Sequence, residues 1–154
     1  MTTKPRLIDY IFLGLAVLCF LFTLIFVIVK YPSLPDMLPS HFNARGEIDA
    51  WSGKAGAAVF PSIVGFLMLA IMGPVQFFPQ VWNNTQGVPA YKLPRVIRST
   101  RTGLCFLLFS MEAFFACVAV CTVRLAPMPV FVTYLFMTIT GVTIVFILVQ
   151  TFRK

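Results

Sequence analysis

Residues 10–29 read YIFLGLAVLCFLFTLIFVIV, twenty consecutive residues without a formal charge. A helix of about 20 apolar residues spans the hydrocarbon core of a bilayer, which is roughly 30 Å thick. Three more apolar stretches of similar length follow, and only one of them contains a charged residue. The four stretches predict an all-α, integral membrane four-helix bundle that forms a single domain over 1–154. The predicted helices cover about 7–29, 55–78, 103–123 and 130–149.

The composition supports a membrane protein and argues against other classes. Hydrophobic residues make up 59% of the chain and charged residues only 11%, whereas about 25% is usual in soluble domains. The net charge of +7 does not indicate nucleic-acid binding, because the cations flank the apolar stretches and form no block or recognition motif. We therefore expect the lipid bilayer, and no nucleic acid, as a partner.

The distribution of Lys and Arg predicts the orientation, because cytoplasmic connections are enriched in these residues. Eight cations lie on the side of the chain termini: Lys4, Arg6, Lys92, Arg95, Arg98, Arg101, Arg153 and Lys154. The other side has four: Lys30, Arg45, Lys54 and Arg124. Both termini are therefore predicted to be cytoplasmic. No small-x-small cleavage pattern follows the first apolar stretch, so we expect that helix to remain uncleaved.

The connection between helices one and two is predicted to be an ordered extracytoplasmic loop of about 25 residues. It reads KYPSLPDMLPSHFNARGEIDAWSGK, residues 30–54. Three prolines keep its first third extended: Pro32, Pro35 and Pro39. Gly46 can adopt a positive φ, so 40–43 and 47–51 are the candidate strands of a short hairpin around it. Trp51 suits the boundary between water and lipid.

This loop also carries a resemblance to a known family. The pattern LPxxLPxHFNxxGxxDxWxxK is present as Leu34-Pro35, Leu38-Pro39, His41-Phe42-Asn43, Gly46, Asp49, Trp51 and Lys54. It resembles a family of small prokaryotic membrane proteins of unknown function, and the N-terminal module of Sdp-type toxin-immunity proteins. The resemblance covers about residues 10–80 and implies a multi-pass protein of a prokaryotic plasma (inner) membrane. It also implies a protective role in which the outer loop contacts a peptide or protein. The immunity proteins carry additional helices with a second pattern, which this sequence lacks.

Five loop residues are candidates for binding a ligand or partner: His41, Asn43, Asp49, Trp51 and Lys54. The alternative is structural, with His41 and Asn43 in loop hydrogen bonds and Asp49 paired with Arg45 or Lys54. A metal site is not predicted. Zinc normally takes several His or Cys ligands and His41 is the only histidine, while the carboxylates lack a calcium-binding spacing.

A single carboxylate, Glu112, falls near the centre of the third apolar stretch. An ionised side chain at this depth is costly, so intramembrane carboxylates often have a function. Protonation, hydrogen bonds from polar groups on other helices, or a wet cavity would each reduce the cost. Two interpretations remain open: a functional proton relay, substrate contact or ion site, and a structural hydrogen bond between helices.

Four cations precede the third apolar stretch at three-residue spacing: Lys92, Arg95, Arg98 and Arg101. On a short helix they would form one broad basic face. This face would either contact lipid headgroups or dock an acidic partner.

The sequence lacks the phosphate-binding loops, metalloprotease helices and nucleophile elbows that identify many enzymes. We therefore predict no catalytic residues and no cofactor. Three function classes remain. The first is a binding or protective module that uses the outer loop, and the second is a small transporter that uses Glu112 and is completed by a homo-oligomer. The third, and least favoured, is a membrane enzyme that uses His41, Asp49 and Glu112 around a headgroup.

Overall fold

The computed structural model describes residues 3–153 and is mostly helical. Within these residues, four helices are long and apolar enough to cross a membrane, as predicted. They are α1 (Leu7–Lys30), α2 (Lys54–Val75), α3 (Leu93–Arg124) and α4 (Val130–Phe152). Two strands, β1 (Met37–Phe42) and β2 (Ile48–Gly53), form a small antiparallel sheet between α1 and α2. Three short 3-10 turns cover Tyr31–Ser33, Pro79–Val81 and Asn83–Thr85.

The central element of the bundle is α3, which contacts α1, α2 and α4. Many of the buried residues are small or polar, as Ala16, Thr23 and Ala119 illustrate, while large side chains such as Phe22 and Ile25 are exposed. This distribution is expected where hydrocarbon is the solvent. Apolar burial then provides little driving force, and close packing of small residues holds the helices together.

Three helices differ from the predicted bounds by three residues or more, and one of them, α4, ends at Phe152 instead of residue 149. α3 begins at Leu93 instead of residue 103. The prediction relied on apolarity, which identifies the part of a helix that can cross a membrane but not the residue at which the helix starts. Its 32 residues give a length of about 48 Å, which exceeds the hydrocarbon core. α2 ends at Val75 instead of Phe78. Pro74 has no amide hydrogen to donate, and the next residues form short-range turns in which Phe78 N donates to Val75 O.

The hairpin between α1 and α2 is present, with strands longer than predicted. Pro39 pairs with Trp51 and His41 with Ala50, and the register shifts on both sides of His41. Side chains therefore do not alternate strictly between the two faces of this strand. Pro39 is tolerated because proline fits edge strands and bulges, where no ladder hydrogen bond is required of it.

The two ends of the bundle are distinct. At one end the turn of the hairpin meets the connection between α3 and α4, where Met128 N donates to Gly46 O over 2.8 Å. At the other end the segment before α1 meets the start of α3, where the Arg6 guanidinium donates to Arg98 O. We call these the hairpin end and the basic end.

Candidate functional site

The turn of the hairpin is organised by Asn43. Its side-chain Oδ1 accepts hydrogen bonds from Arg45 N over 2.8 Å and Glu47 N over 3.1 Å. Its Nδ2 donates to the Glu47 carboxylate over 2.9 Å. An Asn side chain that mimics a backbone turn in this way stabilises the turn locally. Asn43 is thus a structural residue of the hairpin.

Gly46 docks this turn onto the bundle. Its φ of 76° lies in the left-handed region, and its carbonyl accepts the hydrogen bond from Met128 N. A Cβ atom at this position would collide with the carbonyl oxygen of Met128. Glycine is therefore required both by the backbone conformation and by the close approach of two chain segments.

Lys54 links the start of α2 to the segment after α1. Its Nζ donates to Leu34 O over 2.9 Å and lies 4.7 Å from the centroid of the Tyr31 ring. Its backbone N–H donates to Asp36 O over 2.8 Å. Leu34 and Leu38 are buried in a cluster with residues of α1, α2 and α3. The hairpin is thereby fixed at both its base and its tip.

His41 and Asp49 form a pair on the outer surface of the hairpin. His41 Nδ1 lies 2.6 Å from Asp49 Oδ1, and the side chains are 66% and 42% exposed. The predicted pairing of Asp49 with Arg45 or Lys54 is wrong. The bulge places His41 opposite Ala50 and next to Asp49, while Lys54 is bound to Leu34 O. Because a pair this exposed contributes only about 0–1 kcal/mol, both groups remain available to a partner.

A groove of about 250 Å³ lies beside the hairpin, between it and helices α2 and α3. Its lining is mixed and includes Pro39, Ser40, Ser52, Gly56, Phe60 and Thr122. Trp51 is half exposed on β2. The hairpin end therefore combines an exposed polar pair, an exposed aromatic ring and a groove.

Glu112 lies apart from the hairpin, in a packed seam inside the bundle. Only 1% of it is exposed, and its Oε1 has no hydrogen-bond partner within the described residues. A Cβ at Gly65 on α2 would lie 2.7 Å from Glu112 Oε2 and 3.1 Å from the Phe20 ring on α1. On the same face of α2, the buried Ser62 hydroxyl is also without a partner in residues 3–153.

The predicted site residues therefore fall into two groups. His41, Asn43, Asp49, Trp51 and Lys54 lie together in the hairpin and at its base. Glu112 is buried against Gly65 of α2, whereas His41 and Asp49 are exposed on the hairpin, so Glu112 does not share a site with them.

The basic end contains a buried polar network that the sequence did not predict as a unit. Arg101 is only 3% exposed, and its guanidinium donates to Gln76 O over 3.0 Å and Thr3 O over 2.8 Å. Asp9 is equally buried and accepts hydrogen bonds from Arg6 N over 2.8 Å and from the Thr102 hydroxyl. The network joins α1 and α3 to Gln76, the residue directly after α2.

This network corrects the expectation of one broad basic face. Arg101 points into the bundle, Arg95 Nε donates to Gln150 Oε1 over 2.8 Å, and Lys92 Nζ approaches Arg153 O at 3.4 Å. Most of the cations are therefore engaged by the protein itself. The sequence feature that could have indicated this buried network is the position of Arg101 and Asp9 at the edges of apolar stretches.

Comparison with known families is consistent with a family of unknown function. Residues 18–65 match a family described as a domain of unknown function (DUF1648), and they extend from α1 through the hairpin into α2. No curated protein and no solved structure matches the chain. The resemblance to toxin-immunity proteins stays a prediction. The family match and the four apolar helices together indicate a membrane protein that contains a domain of unknown function.

Proposed function

We propose that this chain is a multi-pass membrane protein that binds a peptide or protein partner with its hairpin end, in a protective, immunity-like or accessory role. The observation that carries the proposal is that some residues of the hairpin hold its conformation while others are exposed. Asn43, Gly46 and Lys54 hold its conformation, while His41 and Trp51 stay exposed. A surface fixed in advance loses little conformational entropy when it binds a partner.

The proposal includes an orientation in the plasma (inner) membrane of a prokaryote, with both termini cytoplasmic and the hairpin outside. The excess of Lys and Arg at the basic end supports it. Ala44→Cys at the exposed hairpin turn should react with a membrane-impermeant maleimide in intact cells. Tyr91→Cys, which replaces a 79% exposed residue at the basic end, should react only after lysis. The reverse pattern would overturn the orientation.

Partner binding is tested by placing a photo-crosslinking amino acid at Ala50, beside His41 on the hairpin. We expect a discrete crosslinked partner, which His41→Ala should weaken because it removes an exposed group without disturbing the turn. The same crosslinker at Tyr91 should not capture this partner. Equal capture at both positions, or capture that persists unchanged in both His41→Ala and Trp51→Ala, would count against the hairpin as the binding surface.

Asn43→Ala serves a different purpose in this experiment. It removes the acceptor for Arg45 N and Glu47 N, so it should disorder the turn and reduce capture indirectly. Limited proteolysis of the hairpin in this variant separates a disordered turn from a lost contact. A proteolysis-resistant Asn43→Ala variant that still loses the partner would make Asn43 a contact residue.

The second candidate is a small oligomeric transporter or an ion- or proton-linked subunit that uses Glu112. It is favoured by one observation, the buried Glu112 oxygen and Ser62 hydroxyl that lack partners within residues 3–153. The close contacts with Gly65 and Phe20 oppose it, because they leave a packed seam instead of a path. A homo-oligomer would have to complete the path. Reconstituted vesicles should then show pH-dependent flux that Glu112→Gln abolishes, and no flux in the wild type removes this candidate.

A further inference from the structure

A second cavity at the hairpin end, of about 380 Å³, lies between the end of α1 and the end of α3. Its lining includes Phe26, Lys30, Ser33, Leu34, Val123 and Arg124. Lys30 is the last residue of α1 and Arg124 the last of α3, so the two cations converge from neighbouring helices. The volume falls within the range of about 300–1,000 Å³ typical of small-molecule sites.

Neither cation at this cavity is used by the protein. Within residues 3–153, the side chains of Lys30 and Arg124 make no hydrogen bond and no ion pair, and no carboxylate lines the cavity. Some other cations of the chain do have such partners. Lys54 is bound to Leu34 O, and Arg95 is bound to Gln150. The cavity therefore has positive charge that is not neutralised by its surroundings.

The lining of the cavity is divided by polarity. Lys30 and Arg124 provide hydrogen-bond donors, while Phe26 and Val123 provide an apolar wall. The cavity lies where two helices that are apolar enough to cross a membrane end. At this level a bilayer changes from hydrocarbon to headgroups. An amphipathic molecule with an anionic group at the membrane surface matches both properties.

We propose that this cavity binds the headgroup of an anionic phospholipid from the leaflet at the hairpin end. Arg124 and Lys30 contact the phosphate, Arg through its planar guanidinium and Lys as a mobile point charge. Phe26 and Val123 contact the first carbons of an acyl chain. The proposal depends on the membrane location but not on the partner proposed above, because it uses different residues.

The test measures lipid retention by native mass spectrometry of the full chain, titrated with phosphatidylglycerol or phosphatidylcholine. We expect one tightly retained phosphatidylglycerol and weaker phosphatidylcholine binding. Lys30→Gln and Arg124→Gln should each weaken phosphatidylglycerol binding about fivefold, and the double variant about 25-fold. Arg98→Gln, which removes an exposed cation at the basic end, is the matched control and should bind as the wild type does.

Three outcomes of the lipid titration would overturn the proposal: unchanged retention in the double variant, equal loss in Arg98→Gln, or equal binding of the two lipids. Inorganic phosphate is added in a separate arm. If millimolar phosphate displaces the lipid completely, the cavity is a site for free phosphate and the lipid proposal fails. Melting temperatures of all variants in lipid-free detergent show that they are folded, and Arg124→Lys should retain most of the binding because it retains the charge.

Discussion

Replacing Gly46 by Ala tests whether the hairpin is docked on the connection between α3 and α4. Two effects add. A non-glycine residue in the left-handed region costs about 1–2 kcal/mol, and the φ of Gly46 is 76°. The new Cβ would also collide with the backbone carbonyl of Met128, which no rotamer change can relieve. The displaced segments would lose the hydrogen bond from Met128 N to Gly46 O, which is worth about 1 kcal/mol.

Gly87 provides a matched control for this substitution. Its φ is 72°, so Gly87→Ala has the same conformational penalty, but within residues 3–153 no atom beyond its own chain neighbours lies within 4 Å of the added Cβ. We expect Gly87→Ala to cost about 1–2 kcal/mol and Gly46→Ala about 2–3 kcal/mol or more. At about 2–4 °C per kcal/mol, the expected decrease in melting temperature is about 2–8 °C for the control and about 4–12 °C for Gly46→Ala.

The assay follows thermal unfolding in detergent with a maleimide that becomes fluorescent on reaction with thiols. The four cysteines are free and lie within helices: Cys19, Cys105, Cys117 and Cys121. They become reactive as the bundle opens. If Gly46→Ala lowers the melting temperature no more than Gly87→Ala does, the docking of the hairpin on Met128 contributes nothing and the reasoning fails.

Three further predictions concern the interior. Glu112→Met removes the unpartnered oxygen but keeps an unbranched side chain, so it should leave the free energy of unfolding unchanged or raise it by up to about 3 kcal/mol. A clear decrease in melting temperature would show that the carboxyl group has a donor. Gly65→Ala should destabilise the protein by about 1–3 kcal/mol through overpacking. This cost should be smaller in the Glu112→Ala background, because the oxygen that collides with the new methyl group is gone. Additive effects of the two substitutions would refute the contact. Arg101→Met should lower stability by about 1–3 kcal/mol, because the hydrogen bonds to Gln76 O and Thr3 O are lost. Arg98 is exposed and lies one turn earlier, so Arg98→Met should have the same melting temperature as the wild type.

The helical part of the fold follows from the sequence because hydrophobicity is a local property. An uncharged stretch such as 10–29 must be a helix if it crosses a bilayer, since only internal hydrogen bonds can satisfy its backbone there. The hairpin was also predictable, because Gly46 and the polar residues around it have strong turn preferences. Its register was not, since the bulge at His41 depends on how Leu38 and Pro39 pack against the helices.

The interior polar contacts were harder to predict. Asp9 and Arg101 lie far apart in the sequence, and their burial at one end of the bundle depends on how α1, α2 and α3 are arranged. A lone charge near the edge of an apolar stretch usually faces headgroups, so the pattern does not separate Arg101 from Arg98. Glu112 was conspicuous as the one charge in its stretch, but only the structure shows that it packs against Gly65, which also lies close to Phe20.

The hydrogen bond between Gly46 and Met128 has a consequence for biosynthesis. The chain emerges from the ribosome N-terminus first, so α1, the hairpin and α2 can enter the bilayer before the connection after α3 exists. Until then the carbonyl of Gly46 can be hydrated by water, and the hairpin tip has no fixed position. Its final docking must await insertion of the α3–α4 pair. Residues 18–65, which match the family, would therefore complete their own tertiary structure only after a segment outside that match has been translated.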